Sequence, residues 1–183
     1  ALDLAYVAGA ILSDGYIRLA PTKGSVTFIQ KPTPAKRHFI AAVEQAFEHT
    51  FDTPFTYLRA RQTVGTFKGR KICGSVEDRI SFRREPAARL AKIRDNVSAW
   101  VLTLDRPALL NFLAGYVDGD GTYAKESGAV RLQISVSRGK HHLLEGLAVA
   151  CLRLGIVPQI TNNRENYTLQ ITERVDDILA LTR

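Results

Sequence analysis

The sequence predicts an α+β fold made of two pseudo-symmetric copies of one unit, and three observations predict it. First, Val7-Ala8-Gly9-Ala10-Ile11-Leu12-Ser13-Asp14-Gly15 is echoed by Leu113-Ala114-Gly115-Tyr116-Val117-Asp118-Gly119-Asp120-Gly121. Second, the echo continues downstream, where Gly24 matches Gly128, Lys36 matches Lys140 and Pro54 matches Pro158, all at one constant offset. Third, helical and strand periodicities follow each nine-residue segment in the same order, the mark of a repeated supersecondary unit.

Each copy opens with a helix that ends at the Asp-Gly, and in the second copy Asp105 and Pro107 mark its start. An alternating stretch comes next, Val26-Phe28-Gln30 or Val130-Leu132-Ile134, and reads as a strand with its apolar residues on one face. A helix then runs over about 35–47 or 140–154, the second stopped by Gly155. Two more strands are expected around 56–62 and 75–83, and in the second copy around 159–162 and 167–172, followed by short closing helices at 86–94 and 175–181. The copies differ by an insertion between about Arg59 and Arg79. Residues 1–95 are thus read as the first repeat, 96–104 as a linker and 105–183 as the second repeat.

Hydrophobic residues make up 45% of the 183 and charged residues 23%, the balance of a globular chain. No apolar run reaches the ~18 residues a bilayer span needs, so no membrane partner is expected. Cys73 and Cys151 sit in unrelated contexts without a signal peptide and read as reduced core thiols of a cytoplasmic protein. His38, His49, His141 and His142 lack the spacing of a zinc site. Of the net +7, the stretch from Arg59 to Arg94 carries eleven Lys/Arg against three acids, whereas the chain from Trp100 onward has nine basic and nine acidic residues. An excess so concentrated, and mostly arginine, suits a surface that meets phosphates.

The repeated segment carries the chemistry. Gly9 and Ser13 are four apart, as are Gly115 and Gly119, so each helix offers a small-residue stripe on which the other can lie very close. Glycine inside a helix costs ~1 kcal/mol relative to alanine, and its recurrence at one place asks for such a packing reason. The packing would bring the two helix C-termini together with Asp14 and Asp120. An aspartate at a helix C-terminus is unfavourable, and two side by side are worse. A divalent cation relieves the repulsion, and a few hard oxygen ligands without Cys or His suit Mg²⁺, which also binds substrate phosphate.

These two segments resemble the signature motifs of the LAGLIDADG homing endonucleases in their single-chain, two-repeat form, such as the archaeal intron-encoded enzymes. The likeness spans nearly the whole chain. It implies an αββαββα fold in each half and a saddle of antiparallel sheets in the DNA major groove. It also implies site-specific Mg²⁺-dependent cleavage of a long double-stranded target with short 3′ overhangs, Mn²⁺ as a substitute metal and Ca²⁺ supporting binding without cleavage. The family's metal-binding acid falls on Asp14 and Asp120, and its Gln and Lys near the metals match Gln30 and Lys31. The second copy has Ile134-Ser135-Val136-Ser137 in that region, so a basic group there would come from Lys125, Arg138 or Lys140.

The polar strand positions are candidate DNA contacts. Arg59, Arg61, Arg79, Ser81 and Arg83 alternate as if on one sheet face, with Lys68 and Arg70 in the insertion between them. In the second copy the matching positions are Arg131, Gln133, Asn162, Asn163, Arg164, Thr168 and Gln170, where Asn and Gln suit adenine. Trp100, Phe28, Phe39, Phe47 and Phe82 lie on apolar patterns and are expected in the core. One chain supplies both acids, so a monomer is expected. The competing readings are a non-cleaving binder of the chain's own intron RNA or of DNA, for which retained carboxylates have no use, and an intein endonuclease, for which no splicing blocks are visible.

Overall fold

In the computed structural model, residues 1–67, 70–126, 129–162 and 165–183 are described, without the side chains of 66–67, 70–73, 124–126 and 129. Lys68, Asn163 and Arg164 therefore lie outside the described residues, as do the side chains of Arg70, Lys125 and Cys73. The first repeat runs α1 (Leu2–Asp14), β1 (Gly15–Leu19), β2 (Gly24–Gln30), α2 (Arg37–Phe51), β3 (Tyr57–Phe67), β4 (Arg70–Ser81) and α3 (Arg84–Asp95). The second runs α5 (Arg106–Asp120), β5 (Gly121–Glu126), β6 (Ala129–Ser137), α6 (His141–Arg153), β7 (Gln159–Asn162), β8 (Asn166–Ile171) and α7 (Val175–Leu179). Between them the expected linker forms a helix, α4 (Val97–Leu102), that packs on α6 through buried Val97 and Val101.

Both repeats are αββαββα, with antiparallel sheets ordered β1-β2-β4-β3 and β5-β6-β8-β7. The residue pattern foresaw one strand after each opening helix and the structure has two. The five residues of β1 alternate partly buried and exposed without a strong apolar side, which left no periodic signal to read. The insertion in the first copy lengthens one hairpin: β3 and β4 have 11 and 12 residues where β7 and β8 have 4 and 6. The predicted start of α5 and the stop of α6 hold. Asp105 accepts a hydrogen bond from the Ala108 amide at 2.9 Å and caps α5, and Gly155 takes φ +78° just past α6.

The core lies between the helices and the inner face of each sheet, with Phe28, Phe39, Phe47, Leu132, Ile134 and Leu169 fully buried. Phe82 is a correction: it is 65% exposed and faces Tyr57, because β4 ends at Ser81 and the chain turns outward before α3. At the centre α1 crosses α5 with their backbones in contact. A Cβ on Gly9 would run into the Phe112 carbonyl and Tyr116 amide, and one on Gly115 into the Tyr6 carbonyl. The small-residue stripes thus set the approach of the two repeats.

Candidate functional site

The crossing brings the ends of α1 and α5 together. A side chain at Gly119 would collide with Ser13 Oγ and lie 2.7 Å from Asp14 Oδ2, so the Asp14 carboxylate rests against the opposite motif helix. Burial raises the Asp14 carboxyl to about 6, and the charge of Asp120 adds to the rise against the opposing pull of Lys36, Gln30 and Lys140. Burial also raises Asp120, opposed by Lys140 and Lys36. A partly buried Asp14 thus stands within reach of the charge of the more exposed Asp120. Among the described residues no group of three or more His, Cys, Asp or Glu that could hold a metal ion forms, so no third such side chain joins this pair.

Gln30, at the end of β2, donates from Nε2 to Asp14 Oδ2 at 2.6 Å, and its Oε1 accepts from the Lys31 amide at 3.0 Å. The strand registers align Gly15 with Phe28 and Gly121 with Ile134, so Val136 stands in the second repeat where Gln30 stands in the first. Asp120 has no such carboxamide. The Lys31 side chain is exposed, and it is Lys36 that reaches the centre. Lys36 Nζ donates to the Asp118 carbonyl and, at 3.5 Å, to the Gly119 carbonyl, neutralising the C-terminal end of α5 from the other repeat. Lys140 mirrors it, lining a cleft with Ile11, Leu12, Gly15 and Tyr16 at the end of α1. Each lysine crosses to the motif helix of the opposite repeat. The signal for Lys36 is present in the sequence as the Lys36 to Lys140 match, whereas Lys31 follows from the family resemblance, which pairs a Lys with Gln30.

Asp118 stands apart from the pair. Its Oδ2 accepts from the Tyr6 hydroxyl at 2.7 Å and from the Arg183 amide at 3.0 Å, and burial raises its carboxyl to about 6. It ties α5 to α1 on a different side of the helix, as residues two apart must.

On the outer face of the first sheet, Asp78 is fully buried beneath two arginines. Arg59 donates from Nε and Nη2 to Asp78 Oδ2 at 2.9 and 2.6 Å, and Arg61 donates from Nε to Oδ2 and from Nη2 to Oδ1, both at 2.7 Å. Burial alone would raise the Asp78 carboxyl, but the hydrogen bonds and charges of Arg61 and Arg59 outweigh it and hold it low. Both guanidiniums stay about half exposed. Arg79 and Ser81 are corrections. Register sets Arg79 opposite Leu58 and Phe28, on the helix side of the sheet, where it pairs with Glu44 and Glu77, and Ser81 is buried beside Val26. Alternation along a single strand was read correctly, but β3 and β4 were joined in the wrong phase. Arg83 lies beyond β4 as the exposed N-cap of α3.

On the second sheet Arg131, Gln133, Thr168 and Gln170 lie on the outer face, opposite buried Leu132, Ile134, Leu169 and Ile171. Asn162 instead accepts from Arg138 Nη2 at 2.6 Å, and the Arg138 guanidinium lies 5.9 Å from the Tyr167 ring centroid. Cys151 is buried, which pushes its thiol up to about 12.

Comparison with known proteins places this geometry. Residues 107–176 match the LAGLIDADG-like domain family. The fold is similar to that of I-DmoI in complex with DNA and Ca, with a TM-score of 0.64 and 18% identity over 97% of this chain and 86% of that one. It is also similar to the N-terminal LAGLIDADG domain of DUF199/WhiA, with a TM-score of 0.56 and 14% identity over 98% and 80%. In sequence the chain is 30% identical, over 99% of its length, to a probable phosphoenolpyruvate synthase of Methanocaldococcus jannaschii, of which it spans 14%. The LAGLIDADG-like domain match lies in the second repeat, the first repeat has the same αββαββα order, and the chain as a whole has the fold of these solved structures, with the motif helices crossed at the centre.

Proposed function

We propose that the chain is a homing endonuclease that binds a long double-stranded DNA target and cuts both strands at the Asp14 and Asp120 centre, leaving short 3′ overhangs. The observation that carries this reading is the pair of carboxylates, one from each repeat, held at two crossed helix C-termini, where the charge of Asp120 raises the Asp14 carboxyl. The donor set fits a hard divalent cation: carboxylate oxygens, with no His or Cys grouped with them among the described residues. Mg²⁺ at this pair, or Mn²⁺ in its place, would supply an activated water and stabilise the leaving oxygen. Gln30 orients the Asp14 carboxylate through its Nε2 hydrogen bond. Lys36 and Lys140 offset the negative helix ends and favour the ionised aspartates. The I-DmoI complexes with DNA contain Ca, Mg or Mn, which supports divalent metal use in such a centre, and Ca²⁺ is the ion proposed to allow binding without cleavage here.

The raised Asp14 carboxyl predicts a pH window. Its folded value, about 6, exceeds the ordinary 3.8, so ionising it destabilises the metal-free fold as pH rises from about 4 to about 6. A divalent ion takes the ionised form, so the gain in Tm on adding Mg²⁺ should be large at pH 7.5 and vanish as pH falls below about 6. Melting curves with and without Mg²⁺ across that range measure it. An equal gain at pH 5 would remove the pair as the metal site.

The outer sheet faces are the proposed DNA surface. The insertion charges Lys68 and Arg70 should displace counterions, so replacing both with Gln should lower the slope of log affinity against log salt by up to about two. The slope is read from binding assays at several salt concentrations, and no change would mean these residues face solvent. Replacing Arg59 and Arg61 would strand Asp78, so those variants are compared in an Asp78→Asn background.

One chain supplies both acids, so one protein molecule per cleaved duplex is expected. Light scattering on the complex tests this, and two protein chains per site would refute it.

A second reading concerns how the module is carried. Its match to 14% of a protein named for a different chemistry favours an endonuclease domain inserted in a host polypeptide, as in an intein, over a free intron product. Expressing the full reading frame and weighing its products by mass spectrometry tests it: an excised segment and a joined host support insertion, and a single free protein opposes it.

A further inference from the structure

Strand register sets four side chains in one line across the outer face of the second sheet. Thr122 on β5 pairs with Gln133 on β6, Gln133 with Gln170 on β8, and Gln170 with Gln159 on β7. Directly paired residues of antiparallel strands point to one face, and neighbours along each strand point to the other. The neighbours Leu132, Ile134, Leu169 and Ile171 are buried against the helices, so the row faces outward. Thr122 and Gln159 are exposed, and Gln133 and Gln170 half-buried. None of these three carboxamides has a hydrogen-bond partner among the described residues. Four strands at ~4.8 Å spacing make the row about 14 Å wide, close to the ~12 Å width of the major groove.

From this row we infer that the second sheet is a carboxamide reader: it selects A·T base pairs in its half of the DNA target, and Gln133, Gln170 and Gln159 determine that preference. This rests on the endonuclease reading above. A glutamine amide offers one donor and one acceptor side by side, which matches N7 and the N6 amino group of adenine. Guanine presents two acceptors at that edge and sets the amide oxygen against O6. The row carries no charge, so its contribution comes from hydrogen bonds and is insensitive to salt. On the outer face of the first sheet two guanidiniums, Arg59 and Arg61, are fixed on Asp78, whereas on the second sheet Arg131 shares the outer face with the carboxamide row. Arginine pairs with guanine or phosphate. The carboxamide row therefore adds to its half an A·T preference that Arg59 and Arg61 do not supply to the other.

The test is selection of bound duplexes from a library randomised across the site, at low and at high salt, followed by cleavage of the selected DNA in Mg²⁺. The expected result is A·T at two or three positions of one half, unchanged by salt. Gln159→Ala, a change at an exposed edge-strand position outside the core, should weaken the preference ~10-fold at its position and leave the other half alone. Gln170→Arg should turn the preference under it to guanine. Selected and cut DNA with G·C pairs throughout both halves, or variant preferences identical to wild type, would overturn the inference while the endonuclease reading stands. If no duplex is selected or cut, the reading itself fails and the inference with it.

Discussion

Asp14→Asn and Asp120→Asn should each abolish double-strand cleavage while leaving DNA binding intact or tighter. Asparagine keeps the size of aspartate and one acceptor oxygen but removes the charge that a divalent ion needs. One of the two motif carboxylates is lost in either variant. Binding should not suffer, because a negative charge near phosphate has gone. Asp118→Asn separates chemistry from motif membership. Its partners are the Tyr6 hydroxyl and the Arg183 amide, both donors that an asparagine oxygen still accepts. It should keep substantial cleavage, with any loss following stability. Plasmid cleavage in Mg²⁺ beside binding in Ca²⁺ measures all three. A folded Asp118→Asn protein as inactive as Asp120→Asn, or a fully active Asp14→Asn protein, would overturn the assignment.

Gly115→Ala should be the most damaging of the conservative changes. The added methyl meets the Tyr6 carbonyl and the amide of Ala10, which are backbone atoms that no rotamer change can move. Alanine favours helix by ~1 kcal/mol. That gain is outweighed by overpacking, which drives α1 and α5 apart and should cost about 3 kcal/mol net and roughly 10 °C in Tm. Gly9→Ala should behave alike, since it meets the Phe112 carbonyl and Tyr116 amide. Gly139→Ala, with nothing within 4 Å of its Cβ, is the neutral comparison. Cleavage should fall further than stability, because the two aspartates approach only as closely as the helices do. Thermal melts and cleavage rates for the three variants check this, and an unshifted Tm for Gly115→Ala would mean the helices do not cross as described.

The repeat made the fold legible. Gly9 with Ser13 and Gly115 with Gly119 pointed to the helix crossing, and the structure has it. The strong periodicities of β2 and β6 and the caps at Asp105 and Gly155 were equally plain. Readability failed where physics leaves no local trace. β1 is short and its faces are both half-wet, so its pattern is flat. The phase between β3 and β4 depends on hairpin register, which alternation along either strand does not encode. This is why Arg79 and Ser81 were joined to the face of Arg59. The burial of Asp78 arises only once two arginines from the next strand fold over it. Lys36 ends the 3-10 turn that follows β2, and its reach to the carbonyl ends of α5 is a contact between repeats that spacing within one repeat cannot express.

The central claim is that one metal-dependent centre, shared by the two repeats, cuts both DNA strands. Its most direct test is a time course on a selected duplex, labelled on each strand, with the protein first in EDTA and then supplied with Mg²⁺. The account predicts no cutting in EDTA and then cleavage of both strands at staggered positions by a single bound protein molecule. Stable, specific binding with both strands intact after Mg²⁺ or Mn²⁺ is added would contradict it.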